Sequence, residues 1–89
     1  MPEATRFPCP CCGYLTMSEE ERGSYEICPV CYWEDDRQQF EDPTLDVGAN
    51  AVSLEQARRN FAEDGAAEAR FLDNVRPPQD EEIPVEDNS

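Results

Sequence analysis

Cys9-Pro10-Cys11-Cys12-Gly13 and Cys28-Pro29-Val30-Cys31, with fifteen residues between them, are the stretches that decide how this chain folds. Cys9 and Cys12 are separated by two residues, as are Cys28 and Cys31, and two such pairs at this distance have the spacing of a tetrathiolate metal site. A tetrahedral zinc ion with Zn–S bonds of about 2.3 Å sets its sulfurs roughly 3.8 Å apart. Two cysteines can meet that demand only if the chain turns tightly between them. Proline after the first cysteine of each pair pre-sets a turn φ, and Gly13 after the first pair accepts a left-handed backbone. Amides in such turns point at the sulfurs and offset their charge. Tyr32 stands where the second turn would favour glycine, which predicts strain there.

Other uses of cysteine fit less well. A disulfide framework suits small cysteine-rich chains, but five cysteines is an odd number, and the opening residues Met1 to Arg6 carry no apolar run of a secretory leader. Free thiols and a cytoplasmic location are therefore expected. A thioredoxin-like redox motif would need one Cys-x-x-Cys beside a βαβ pattern, and this chain has two motifs and no such pattern. Cys11 is left over inside the first turn. Its plain expectation is a thiol pointing outward or tucked against the hairpin. The sharper alternatives are ligand exchange with Cys12 or a redox-sensing thiol.

With 89 residues the chain makes one domain near the lower size limit for a self-sufficient core. A structural zinc adds about 10–16 kcal/mol of apparent binding free energy at neutral pH, so its removal is expected to unfold at least the first half. Seven arginines, no lysine and 21 carboxylates leave a net charge of −14. Nucleic-acid binding needs a basic face to displace counterions, so DNA and RNA are not expected partners. A protein partner, neutral or basic, suits the charge better, although so much acid also serves solubility. No run reaches the ~18 apolar residues of a membrane span, and no segment specifies an oligomeric state.

Outward from the two turns, residues 1–6 read as a flexible N-terminus and 7–78 as the metal-binding domain. Within it, 7–36 form a knuckle ribbon, 37–52 a loop and 53–75 a helical part. Tyr14-Leu15-Thr16 and Ser24-Tyr25-Glu26-Ile27 have strand composition, the second with Tyr25 and Ile27 on one face. A polar connection through Gly23 joins them. Trp33 is expected to roof the metal from the core. Phe40, Leu45 and Val47 are expected to fold back onto the ribbon. Asp42, Asp46 and Asn50 lack the order of a calcium loop. Ser53-Leu54-Glu55-Gln56 is a capping box. Leu54, Ala57 and Phe61 then share one helix face, with Glu55–Arg59 and Arg59–Glu63 as i,i+4 pairs outside, before Gly65 stops the helix. A further turn or two over 66–74 would place Ala67, Phe71 and Val75 inward. Residues 79–89 carry five acids and no base, the pattern of a disordered acidic tail. The fold class is a small metal-stabilised α+β domain: a zinc-ribbon-like β-hairpin with two Cys-Pro-x-Cys knuckles, followed by one or two short helices.

Phe7-Pro8-Cys9-Pro10-Cys11-Cys12-Gly13-Tyr14, Gly23 to Asp36 through Cys28-Pro29-Val30-Cys31-Tyr32-Trp33-Glu34-Asp35-Asp36, and Asn50 to Arg58 together resemble the bacterial cysteine-rich CPCC family, from about Phe7 to Pro77. The resemblance implies a small metal-binding domain with Cys9, Cys12, Cys28 and Cys31 as ligands of one zinc ion. An aromatic at Tyr32 is similar to the family pattern. Three functions then compete. The first is a zinc-stabilised interaction module whose partner-binding residues are Trp33, Glu34, Asp35 and Asp36, facing a cationic protein. The second is a rubredoxin-like electron carrier with iron in the same four sulfurs. The third, a thiol switch or enzyme at Cys11, meets the obstacle that a tetrathiolate site has no open position for water. With no histidine for acid–base work, an enzyme is not expected.

Overall fold

Each Cys-x-x-Cys turn is closed by its own short antiparallel pairing. The computed structural model describes residues 6–84. Strand β1 (Phe7–Pro8) pairs with β2 (Leu15–Met17), Phe7 opposite Met17 and Pro8 opposite Leu15, with an irregularity between them. The first turn lies inside this hairpin. The second lies inside a smaller one, closed by an antiparallel bridge from Ile27 to Glu34 and by amide bonds from Tyr25 to the Asp35 carbonyl and from Asp35 to that of Glu26. The expected ribbon, with residues 14–16 and 24–27 as its two strands, is therefore corrected. The reason lies at Asp35, whose Oδ2 accepts from the amides of Gly23 and Ser24 and from the Ser24 hydroxyl. These bonds bend the chain, and Tyr25 takes a left-handed φ of 61°. The alternation is broken, and Tyr25 and Ile27 are both exposed.

The stretch 37–52, expected as a loop, contains helix α1 (Arg37–Glu41). Asp36 caps it, with Oδ1 accepting from the amides of Gln38 and Gln39 and Oδ2 accepting from Ala49. The cap satisfies amides that a helix start leaves unpaired. Gln39 is fully buried and organises the following residues. Its Nε2 donates to the carbonyls of Leu45, Asn50 and Val52, and its Oε1 accepts from the backbone and side-chain amides of Asn50. Asn50 passes this order on, bonding both backbone groups of Glu34. Polar bonds rather than apolar contact thus hold this segment. Val47 stays 64% exposed and Phe40 39% exposed, against the expectation that they pack on the ribbon.

Helix α2 (Leu54–Asp64) starts and ends where its local signals place it, with Ser53 Oγ accepting from the Gln56 amide and Gly65 closing it at φ 95°. Only half the capping box forms, because the Gln56 side chain turns forward to Asn60 and Arg59. Arg59 is thereby drawn to Gln56, and neither i,i+4 pair expected of it is among the ion pairs of the described residues. Leu54 and Ala57 enter one buried cluster with Met17, Val30, Trp33, Ala67 and four of the five cysteines. Beyond α2 a 3-10 turn forms at Ala69–Phe71, inside the stretch 66–74 where a further turn or two is expected.

The chain then returns beside β2 in another 3-10 turn, Asp80–Glu82. Here Glu82, 3% exposed, accepts two 2.9 Å bonds from the Arg76 guanidinium and a third from the Gln79 amide. Residues 79–84 are thus ordered, correcting the tail expected from 79. The expectations for 1–5 and 85–89 fall outside the described residues. The result is a small α+β fold: a two-stranded antiparallel hairpin, two helices and a cysteine cluster. Among the described residues no helix is long and apolar enough to cross a membrane.

Candidate metal centre

The sulfurs of Cys9, Cys12, Cys28 and Cys31 all lie within 4.8 Å of one another. Cys9 and Cys31 are 3.6 Å apart and Cys12 and Cys28 3.7 Å apart, close to the edge of about 3.8 Å that a tetrahedral zinc requires. Each edge joins one sulfur from each turn, so an ion here would tie the two hairpins together. Cys9, Cys28 and Cys31 are buried, while Cys12 is half-buried and forms the accessible corner. The donor set and its spacing fit one metal ion.

The two turns repeat one backbone pattern. The Cys9 amide donates to the Tyr14 carbonyl and the Gly13 amide to that of Cys9. In the second turn Cys28 donates to Trp33 and Tyr32 to Cys28. The amides of Cys11 and Val30 each approach the first sulfur of their own turn at 3.4 Å. Gly13 and Tyr32 occupy equivalent positions with φ of 83° and 72°. Tyr32 therefore does adopt the left-handed backbone that a side chain disfavours. Its ring lies 4.7 Å from that of Phe71, which Arg70 covers in turn, and this packing offsets the local cost. Both turns are braced from behind. Arg58 on α2 donates to the Pro10 carbonyl, Ala67 to that of Cys31 and Arg76 to that of Pro29.

The family model for cysteine-rich CPCC proteins matches residues 7–82. This chain belongs to the cysteine-rich CPCC family. The match continues past Pro78 through Glu82, the residue that Arg76 holds. No curated protein matches the chain.

Protonation in the CPCC cage is uneven. The Cys28 thiol is held far below its ordinary value, first by hydrogen bonding with Cys12, then with Cys31 and Cys9, against the opposing effect of burial and with help from Thr16. Thr16 donates its hydroxyl to Cys28 Sγ at 3.0 Å. Cys12 is pushed up, chiefly because it shares its proton with Cys28. Cys31 is pushed up by contact with the Cys11 thiol first and the other three cysteines after it. A bound divalent ion would strip the remaining protons, since thiolates rather than thiols ligate metal.

The other residues singled out from the CPCC sequence are placed differently. Trp33 is fully buried within the same cluster as the cysteines, which makes it core and removes it from the surface. Asp35 is 0% and Asp36 5% exposed, and both carboxylates are used internally. Arg22 Nη1 lies 3.5 Å from Asp35 Oδ1. Burial works to raise the Asp36 carboxyl, but the amides of Ala49, Gln39 and Gln38 outweigh it and hold the group below the usual carboxylate range. Glu34 is half-buried with its backbone engaged by Asn50. Asp35 and Asp36 are therefore internal scaffolding for the second turn and not a projecting face, while Glu34 stays half-buried. Cys11 is buried and its sulfur is not one of the four.

Thr16, Gln39 and Arg76 were missed by sequence reasoning. A polar Thr16 within the apolar run Leu15-Thr16-Met17 was the one local signal for any of them.

Proposed function

We propose that this CPCC protein binds one zinc ion in Cys9, Cys12, Cys28 and Cys31, and that the ion is structural. The observation that carries the reading is the closed cage of four sulfurs at tetrahedral spacing. Four thiolates fill the coordination sphere and leave no position for water, and the chain has no histidine to move protons. Catalysis is therefore not part of the proposal. Native mass spectrometry of protein purified from its own host tests it. One zinc per chain is expected. A red protein carrying one iron, reducible by one electron, would replace this reading with that of an electron carrier.

The zinc-held domain then serves as an interaction module, in the cytoplasm, for another protein. A net charge of −14 supports a neutral or cationic partner and disfavours nucleic acid, which would gain no counterion release. With Asp35 and Asp36 internal, the surface that supports this reading is the exposed Tyr25 and Ile27 together with Glu19, Glu20 and Glu21. The triple reversal E19R/E20R/E21R is expected to slow association with such a partner and to weaken its salt dependence. An unchanged rate would remove the surface from consideration.

A further inference from the structure

An open groove of about 300 Å³, lined mostly by apolar groups, lies beside the second cysteine turn. Its wall includes Val30, buried within the turn, the half-buried Phe61 and Val75, and Leu72, which is 45% exposed. That volume is at the lower end of the roughly 300–1,000 Å³ of ligand clefts, room for a side chain rather than a cofactor. Pro77 and Pro78 also line it and offer no backbone donor, so the groove suits a side chain better than an added strand. Two charged side chains complete the lining, Asp64 and Arg76. Arg76 is already engaged, because its guanidinium bonds both oxygens of Glu82 at 2.9 Å and the Pro77 carbonyl. Asp64 is exposed and forms no ion pair among the described residues. It is the last residue of α2, whose final turn holds no base, so the negative pole of the helix adds to its carboxylate. The groove is thus apolar with an unmatched negative charge at one end. With a net charge of −14, a second copy of this chain would be repelled from it.

We propose that this groove docks a partner protein through a short segment in which an apolar side chain stands next to a lysine or arginine. The apolar side chain enters among Val30, Phe61 and Val75, and the cation meets Asp64 at the end of α2. The inference rests on the interaction-module reading above and gives it a second surface, apart from Tyr25, Ile27 and the acids at 19–21. The groove is also tied to the metal centre. Val30 lies between Cys28 and Cys31 in the chain, the Arg76 amide donates to the Pro29 carbonyl at 3.1 Å, and the Ala67 amide donates to that of Cys31 at 2.7 Å. One wall of the groove is therefore the turn that supplies two of the four sulfurs. Docking then requires the loaded protein, and by linkage a docked partner tightens the hold on the ion.

The probe is a synthetic peptide with blocked ends, Gly-Ser-Leu-Arg-Arg-Ser-Gly, titrated into the metal-loaded full chain and followed by amide shifts in NMR. Two further peptides replace the leucine by serine or both arginines by glutamate. Saturable shifts are expected at Val30, Gly65, Leu72 and Val75. The peptide without leucine should bind at least about 10-fold more weakly, the loss expected for one buried apolar side chain. D64N should weaken the parent peptide about 2–5-fold, as for an exposed ion pair, and should leave the glutamate peptide no worse bound than wild type does. Both Asp64 and Leu72 are exposed, so D64N and L72S test the surface without disturbing the core. Absence of saturable shifts, or equal binding of all three peptides, overturns the proposal. Shifts confined to 19–27 overturn it while leaving the interaction-module reading in place. Groove shifts produced by concentrating the protein alone would assign the groove to a second copy and overturn it too. Chelation, with loss of the ion checked by native mass spectrometry, should abolish binding. Groove shifts that survive it would overturn the structural role of the ion and not the groove.

Discussion

At the scale of single residues, two glycines of left-handed φ would take a side chain at unequal cost. Gly13 has open space around it, and Gly48 has none. A Cβ at Gly48 would stand 2.8 Å from Asp36 Oδ2 and 3.0 Å from the Gln39 amide, at φ +144°. Gly13→Ala should therefore cost only its backbone strain, about 1 kcal/mol. Gly48→Ala should cost about 2–4 kcal/mol, because it also displaces two buried polar groups that hold the 42–52 segment. Urea unfolding of the metal-loaded proteins checks both, and equal shifts in midpoint would refute the distinction. Gly13 could be assigned from the sequence because glycine after Cys-x-x-Cys has a local meaning. Nothing in the neighbourhood of Gly48 announces that Asp36 and Gln39 will be packed against it.

At the scale of elements, legibility follows whether an element's causes are local. Helix α2 has its N-cap, apolar face and terminating glycine all within its own sequence, and it forms where they point. Helix α1 has five residues and no apolar periodicity. It exists because Asp36 caps it and Gln39 bonds to carbonyls up to thirteen residues away. The returning C-terminal segment is a similar case, since its acids read as a tail until Arg76 is found beside Glu82. Arg76 holds the Glu82 carboxyl below its usual range, outweighing burial, with the Gln79 amide assisting. A depressed folded pKa contributes stability that is fully present above the unfolded value, about 4.3, and is lost as pH falls through the lower folded one. The advantage of wild type over E82Q should therefore be largest near neutrality and shrink below about pH 4. Paired unfolding curves across pH measure it, and a gap independent of pH would show that the ion pair contributes nothing.

At the scale of the whole molecule, the metal centre and the core are one body. Cys9, Cys28 and Cys31 share a buried cluster with Trp33, Met17, Leu54 and Ala57, so the sulfurs are packing as well as candidate ligands. Without an ion, four cysteine sulfurs within 4.8 Å of one another would crowd that cluster unbridged. Chelation should then remove about 10–16 kcal/mol of apparent stabilisation and unfold α2 together with the hairpins. Far-ultraviolet circular dichroism and Trp33 fluorescence should change in a single step. Retention of the α2 signal after chelation would show that the helical part folds by itself.

The sequence by itself determined the four cysteines of the cluster, their pairing into two turns, the limits of α2 and the acidic balance. Each of these depends on residues close together in the chain. Only the tertiary structure decided that each turn closes its own hairpin and that Trp33, Asp35 and Asp36 lie inside. It also decided that Gln39 and Asn50 lock the middle segment and that Cys11 is buried. Those outcomes rest on hydrogen bonds and burial between residues far apart in sequence. An acid destined to accept buried amides reads, along the chain, like any acid on a solvated surface.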